Sequence, residues 1–157
     1  MPEAAKPSRA IFESHFGQIW PVHVEGFTRL LILLRQQFEG DLDMLLVMAV
    51  IGEATLPRHL LPGDFSYGEL LKGKGQQINK QDINTQSVAA YSGIPRETVR
   101  RKLERLTDKG WIERNSNGGW TATRKGSQDL QRATEATLDY LAAIVDAIAD
   151  AGKAAKV

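Results

Sequence analysis

The stretch NTQSVAAYSGIPRETVRRKLERLTDKG, residues 84 to 110, constrains the fold more than any other part of this chain. A short helix-compatible run, TQSVAAYS, stops at Gly93, and Pro95 opens a longer one that ends at Gly110. Proline suits a first helical turn, where its missing amide would be unpaired anyway, and glycine suits the left-handed residue past a helix end. The two helices must therefore turn sharply and cross at close range. Ala89, four residues before Gly93, is small where the backbones would approach. Val88, Ile94, Val99, Leu103 and Leu106 fall where such a pair buries apolar side chains, and Ile112 can close that core from the segment that follows.

That segment, WIERNSNGGWTATRKG, alternates short strand-like pieces with the turn cluster Asn115–Gly119 and reads as a small β-hairpin. Two helices joined by a glycine turn and followed by a hairpin form the winged helix-turn-helix layout. The flanks read as helical, so the fold class is mainly α, with N- and C-terminal dimerisation helices around a winged helix-turn-helix. A frayed tail holding Pro2 and Pro7 leads to a helix from Ser8 to Trp20, interrupted at Pro21. Val22 to Phe38 is apolar almost all round, which predicts burial on more than one side. Gly40 ends that helix, and Asp41 is positioned to cap the next, Leu42 to about Ala54. Leu56 to Asp82 is punctuated by proline and glycine, with one short helix around Ser66–Leu71. Ser127 to Ala151 reads as one long helix. The expected divisions are N-terminal helices over 1–55, an extended connection over 56–82, the winged helix-turn-helix module over 83–126 and a C-terminal helix over 127–157.

Net charge is only +1, but its distribution is uneven. Residues 84–126 hold nine basic and four acidic side chains, whereas both flanks carry a small acidic excess. A basic middle on a near-neutral scaffold is the asymmetry of a polyanion-binding module. On the second helix, at about 100° per residue, Glu97 and Arg101 lie opposite the Val99–Leu103–Leu106 stripe and Arg100 flanks them. Arg96 sits in the first turn, while Lys102 and Arg105 occupy the other flank, suited to phosphates or solvent. The N-terminal end of such a helix is the end that meets base edges.

The string PRETVRRKLERL resembles the recognition helix of the Crp/Fnr transcription regulators, in which Arg-Glu-Thr-Val is commonly followed two residues on by Arg. The resemblance implies Arg96, Glu97 and Arg101 as base readers and Thr98 as a phosphate contact. Their chemistry suits this, since arginine can bridge guanine O6 and N7 and glutamate can accept from cytosine N4. Ser92 and Lys102 depart from the apolar residues usual there. Nothing upstream resembles that family's cyclic-nucleotide-binding roll. The order of helices, helix-turn-helix, wing, Thr123-x-x-Gly126 step and long last helix is similar instead to MarR-like regulators. That resemblance implies a homodimer whose terminal helices pack together. The wing lacks their usual Asp-x-Arg pattern, and the 56–82 segment is long for them.

The candidate site follows. Arg96, Glu97, Arg100 and Arg101 would read bases, while Thr85, Gln86, Ser87, Thr98 and Arg105 would hold the backbone. Arg114, Asn115, Ser116, Asn117, Arg124 and Lys125 belong to the wing, where a plain structural turn is an equally good reading. Trp111 and Trp120 suit wing packing better than base stacking. Leu130, Leu141, Ile144 and Ile148 lie on a seam with steps of four and three, the candidate dimer interface. Phe12, Phe16, Trp20, Phe27, Met44 and Met48 are candidates to line a small-molecule effector pocket, though core packing explains them more cheaply.

The absence of cysteine excludes disulfides and thiolate chemistry. His15, His23 and His59 show no metal-ligand spacing, and no nucleophile, P-loop or dinucleotide motif appears, so neither cofactor nor enzymatic activity is expected. The start of the chain lacks a signal-peptide core and no stretch is apolar enough for a bilayer, which reads as a cytoplasmic protein with no membrane partner. The expected function is sequence-specific binding of double-stranded DNA by a homodimeric transcriptional regulator. The alternative is a winged helix used for protein–protein assembly.

Overall fold

A computed structural model describes residues 7–56, 59–77 and 81–154. The described residues form eight α-helices, one 3-10 turn and one two-stranded antiparallel sheet, a mainly helical architecture consistent with a winged helix-turn-helix. They fall into two compact units: residues up to Gln36 with those from Arg132 onward, and Gln37–Gln131.

The first unit holds α1 (Pro7–Ser14), α2 (Phe16–Gln37, to Gln36) and α8 (Gln131–Ala154, from Arg132). Pro21 does not interrupt the helix as expected; it lies inside α2. The carbonyl that loses a partner to the proline ring belongs to Gly17, and both residues are exposed, so water can satisfy it. The break falls instead at His15, and even there the ladder continues, His15 N–H donating to Ile11 and Ile19 N–H to the His15 carbonyl, both at 3.1 Å. The tail at residues 1–6 lies outside the described residues.

The expectation that α2 is buried on more than one side is also corrected. Only Ile19 and Leu30 are buried, whereas Phe16, Trp20, Val24, Phe27, Leu31 and Ile32 are exposed. Phe16, Trp20, His23 and Phe27 form a ladder of rings with successive centroids 5.0, 4.9 and 5.5 Å apart. Tyr140 of α8 comes so close that a Cβ on Gly26 would stand 2.6 Å from its ring, and its hydroxyl lies 2.6 Å from His23 Nδ1. Leu138, Leu141 and Val145 of α8 are exposed as well.

The second unit contains α3 (Leu42–Thr55), α4 (Tyr67–Leu71), the 3-10 turn Lys74–Gln77, α5 (Thr85–Ser92), α6 (Arg96–Asp108), β1 (Ile112–Arg114), β2 (Trp120–Ala122) and α7 (Arg124–Asp129). Asp41 caps α3 as expected, accepting from Met44 N–H at 2.8 Å. α3, grouped by sequence with the N-terminal helices, packs against α5, α6 and β2. Met44, Val47, Val50 and Ile51 of α3, Val88 of α5, Val99, Leu103 and Leu106 of α6, and Ile94, Trp111 and Ile112 make the core. The short helix α4 begins with a capping box between Ser66 and Glu69, so the 56–82 connection has structure of its own.

The C-terminal helix starts earlier than expected and is divided at Leu130. α7 begins at Arg124, capped by the Thr123 hydroxyl, which accepts from Gly126 N–H at 3.1 Å, and α8 follows after Leu130. Gly126 permits this turn because a Cβ there would stand 2.8 Å from the Trp111 carbonyl oxygen.

Candidate nucleic-acid interface

The helix-turn-helix is built as its punctuation requires. Asn84 caps α5 by accepting from Ser87 N–H at 2.8 Å. Gly93 takes the left-handed conformation, φ 73°, and donates to the Ala89 carbonyl at 3.0 Å. Ser92, the departure from an apolar pattern, stabilises the same turn by accepting from Ile94 N–H at 3.2 Å. α6 then runs with Val99, Leu103 and Leu106 in the core, leaving its charged residues outside.

At the N-terminal end of α6 the charges are interlocked. Arg100 grips Glu97 with two nitrogens, Nε at 3.0 Å and Nη2 at 2.7 Å, and reaches Glu104 with the third. Arg101 approaches Glu97 at 3.5 Å and is the most open of the set, 71% exposed. The Arg100 hydrogen bonds hold the Glu97 carboxyl below its ordinary value, and Glu97 in turn raises Arg100. Such exposed pairs are screened by solvent and add little to stability, so they yield readily to another partner. Arg96, Glu97 and Arg100 share the wall of a groove of about 840 Å³ with Thr85, Glu104, Asp108, Arg114 and Trp120, so the groove lies between α6 and the hairpin. Thr98 is half-buried on α6, and Gln86 and Ser87 are exposed.

The wing is held at its base. Ile83 bridges to Trp120, with amide–carbonyl distances of 3.2 and 2.8 Å, and Trp120 Nε1 donates to Thr85 Oγ1 at 3.1 Å. Asn115 organises the turn, its Oδ1 accepting from Asn117 and Gly119 amides at 3.0 and 2.9 Å while its Nδ2 donates to Asp82. Asp82 fills the space where a Cβ on Gly119 would stand. Ser116 and Asn117 are exposed at the tip. Arg114 bends back, with Nε 3.3 Å from the Gly118 carbonyl and its guanidinium 5.6 Å from the Trp120 ring centre. Trp111 is buried, donates to Asp129 at 2.8 Å and meets Phe38 edge-on. Lys125 pairs with Asp129, and the Arg124 guanidinium lies against Gly73.

The other flank of α6 holds partners that sequence reasoning missed. Asp41 receives Lys102 Nζ at 2.8 Å and Arg105 Nη1. Glu39 receives Arg105 Nη2 at 3.3 Å and Lys109 Nζ at 2.5 Å. Arg105, expected at a DNA phosphate, thus has two carboxylate partners on the α2–α3 junction. Asp41 was legible as a helix cap, but nothing in the sequence ties it to a lysine 61 residues away.

The family model of the DeoR-like helix-turn-helix domain matches residues 76–125. That span encloses α5, α6 and both strands, about a third of the chain. The similarity supports a DNA-binding transcription regulator rather than an enzyme. No curated protein and no solved structure matches the chain. Among the described residues no helix is long and apolar enough to cross a membrane, and no three histidine or acidic side chains gather as a metal site would need.

Proposed function

We propose that this protein binds a specific double-stranded DNA sequence as a homodimer, with α6 in the major groove and the wing against the neighbouring backbone. The observation that carries the reading is the reading end of α6. Arg96, Glu97, Arg100 and Arg101 are exposed there, on a helix anchored through Val99, Leu103 and Leu106. They adjoin a groove bounded by the wing. Arg96, Glu97 and Arg101 read base edges, and DNA displaces the exposed carboxylates that now occupy Arg100. Thr85, Gln86, Ser87, Thr98 and Arg114 touch the backbone, with Ser116 and Asn117 at the wing tip; Arg105 is left out of these contacts. The reading helix is Crp-like in sequence within a MarR-like order of elements, in a cytoplasmic setting.

Dimerisation draws on the first unit. Phe16, Trp20, Phe27 and Leu31 on α2 and Leu138, Leu141 and Val145 on α8 are large apolar side chains left exposed, as at a surface that meets a partner. Leu141 continues the seam through Ile144 and Ile148 of α8, whereas Leu130, also expected there, falls at the break before that helix. A second copy covers this surface, and a two-fold pair of reading helices meets half-sites about one DNA turn (~34 Å) apart.

The rival reading, a winged helix for protein–protein assembly, draws on the acidic residues Glu97, Glu104 and Asp108 exposed along α6. Fluorescence anisotropy with a labelled random-sequence duplex at low salt separates the two. Micromolar binding that weakens steeply with salt supports DNA recognition. No binding at that concentration refutes it, and selection from a random duplex library then reports sequence and symmetry.

A further inference from the structure

Lys102, Arg105 and Lys109 follow one another at steps of three and four along a single flank of α6, and every one of them has a carboxylate partner at the α2–α3 junction. This arrangement differs in kind from the exposed pairs around Glu97. Asp41 is 13% exposed and Lys102 20% exposed, so solvent and salt screen their pairing weakly. The Asp41 carboxylate is also fixed from the other side by the Met44 amide that it caps, so it cannot swing away with its cations. The junction adopts a backbone that ordinary residues avoid: Glu39, which is not a glycine, has φ 56°, and Gly40 follows at 82°. Two successive left-handed residues turn the chain so that Glu39 and Asp41 both face the flank of α6. Strain of this kind persists where the surroundings hold it in place.

Building on the DNA-binding reading, we infer that Asp41, assisted by Glu39, is a specificity-determining positioning residue that withholds Lys102 and Arg105 from the DNA backbone. Each free cation brought to a phosphate releases counterions and strengthens binding on every sequence alike. Holding these cations on the protein keeps that indiscriminate attraction low and leaves binding to depend on Arg96, Glu97 and Arg101. The same carboxylate fixes the flank of α6 against the start of α3, and so sets how the reading end is presented.

Asp41→Asn tests this, because asparagine caps a helix as well as aspartate but cannot hold the cations by charge. The full-length protein is titrated by fluorescence anisotropy against a random-sequence duplex and against the duplex selected from a random library, between 50 and 200 mM salt. The variant is expected to bind the random duplex more tightly. Its slope of log affinity against log salt should steepen by roughly 0.9 for each cation released. Its preference for the selected duplex should fall. A folded variant with wild-type slope and preference overturns the inference, since a purely structural clamp would leave the slope alone. If the variant does not fold, Arg105→Gln decides: an unchanged salt slope supports the inference, and a slope shallower by about 0.9 shows that Arg105 already touches phosphate and overturns it. Wild-type protein that binds neither duplex removes the DNA-binding reading itself, an outcome distinct from wild-type binding that Asp41→Asn leaves unchanged.

Discussion

Replacing Gly126 by alanine sets two opposing effects against each other at one position. Gly126 is the third residue of α7, where alanine's helix preference over glycine favours the variant by up to about 1 kcal/mol. Against this, the new methyl would stand 2.8 Å from the Trp111 carbonyl oxygen and 3.1 Å from its Cα. These are backbone atoms at the start of the wing, and Trp111 is buried with its indole bonded to Asp129, so neither side can simply rotate aside. Overpacking of this kind costs about 1–3 kcal/mol, so a net loss of about 1–2 kcal/mol is expected. For a chain of 157 residues that is a fall in Tm of roughly 2–8 °C. Circular dichroism melts at equal protein concentration measure it. Gly52→Ala is the matched control: Gly52 is inside α3, a Cβ there meets nothing within 4 Å, and the variant should gain up to about 1 kcal/mol. A Gly126→Ala melting temperature at or above wild type would refute the reasoning, because the helix preference would then have gone unopposed.

Arg101→Ala should weaken binding to the selected duplex by about 1–3 kcal/mol and relax preference at one base pair, whereas equal weakening on all duplexes would make it a phosphate contact. Trp20→Glu places a charge amid the exposed ring ladder of α2 and should shift the protein from dimer to monomer in sedimentation velocity; an unchanged dimer would move the interface elsewhere. Burial pushes the Asp41 carboxyl up, but Lys102, the Met44 amide and Arg105 together outweigh it, and the net shift is downward. A carboxyl lowered in the folded state adds stability above its unfolded value, and loses it as pH falls through the folded one. Wild type should therefore lose stability more steeply than Asp41→Asn below about pH 4 in denaturant titrations, and parallel curves would contradict the assignment.

The helix-turn-helix was legible because its information is local. Gly93, Pro95 and Gly110 each fix a backbone event within one turn, and the Val99–Leu103–Leu106 stripe names its own buried side. Pro21 misled for the same reason: a local rule predicts a break, but it does not weigh an exposed Gly17 carbonyl that water can serve. The apolar run of α2 announced that it needs covering without saying whether the same chain would do so. Least legible were the charge partners. Glu39 and Lys109 are 70 residues apart, and Asp82 and Asn115 are 33 apart. Only the folded path brings such pairs together, and charge patterning sees neighbours three or four residues away.

The stem of the wing is tied to the start of α5 by the Ile83–Trp120 bridge, the Trp120–Thr85 bond and the Asp82–Asn115 bond. A hairpin of two three-residue strands would not hold its shape alone in water. These ties couple its opening to that of the helix pair, so its amides should exchange hydrogen at the pace of the whole module and not fray from the tip. Tolerance to inserted sequence is divided along the same line. Extra residues between Ser116 and Asn117 lengthen an exposed loop, whereas one added between Asp82 and Thr85 would slip the stem's register and shift α5 and α6 with it.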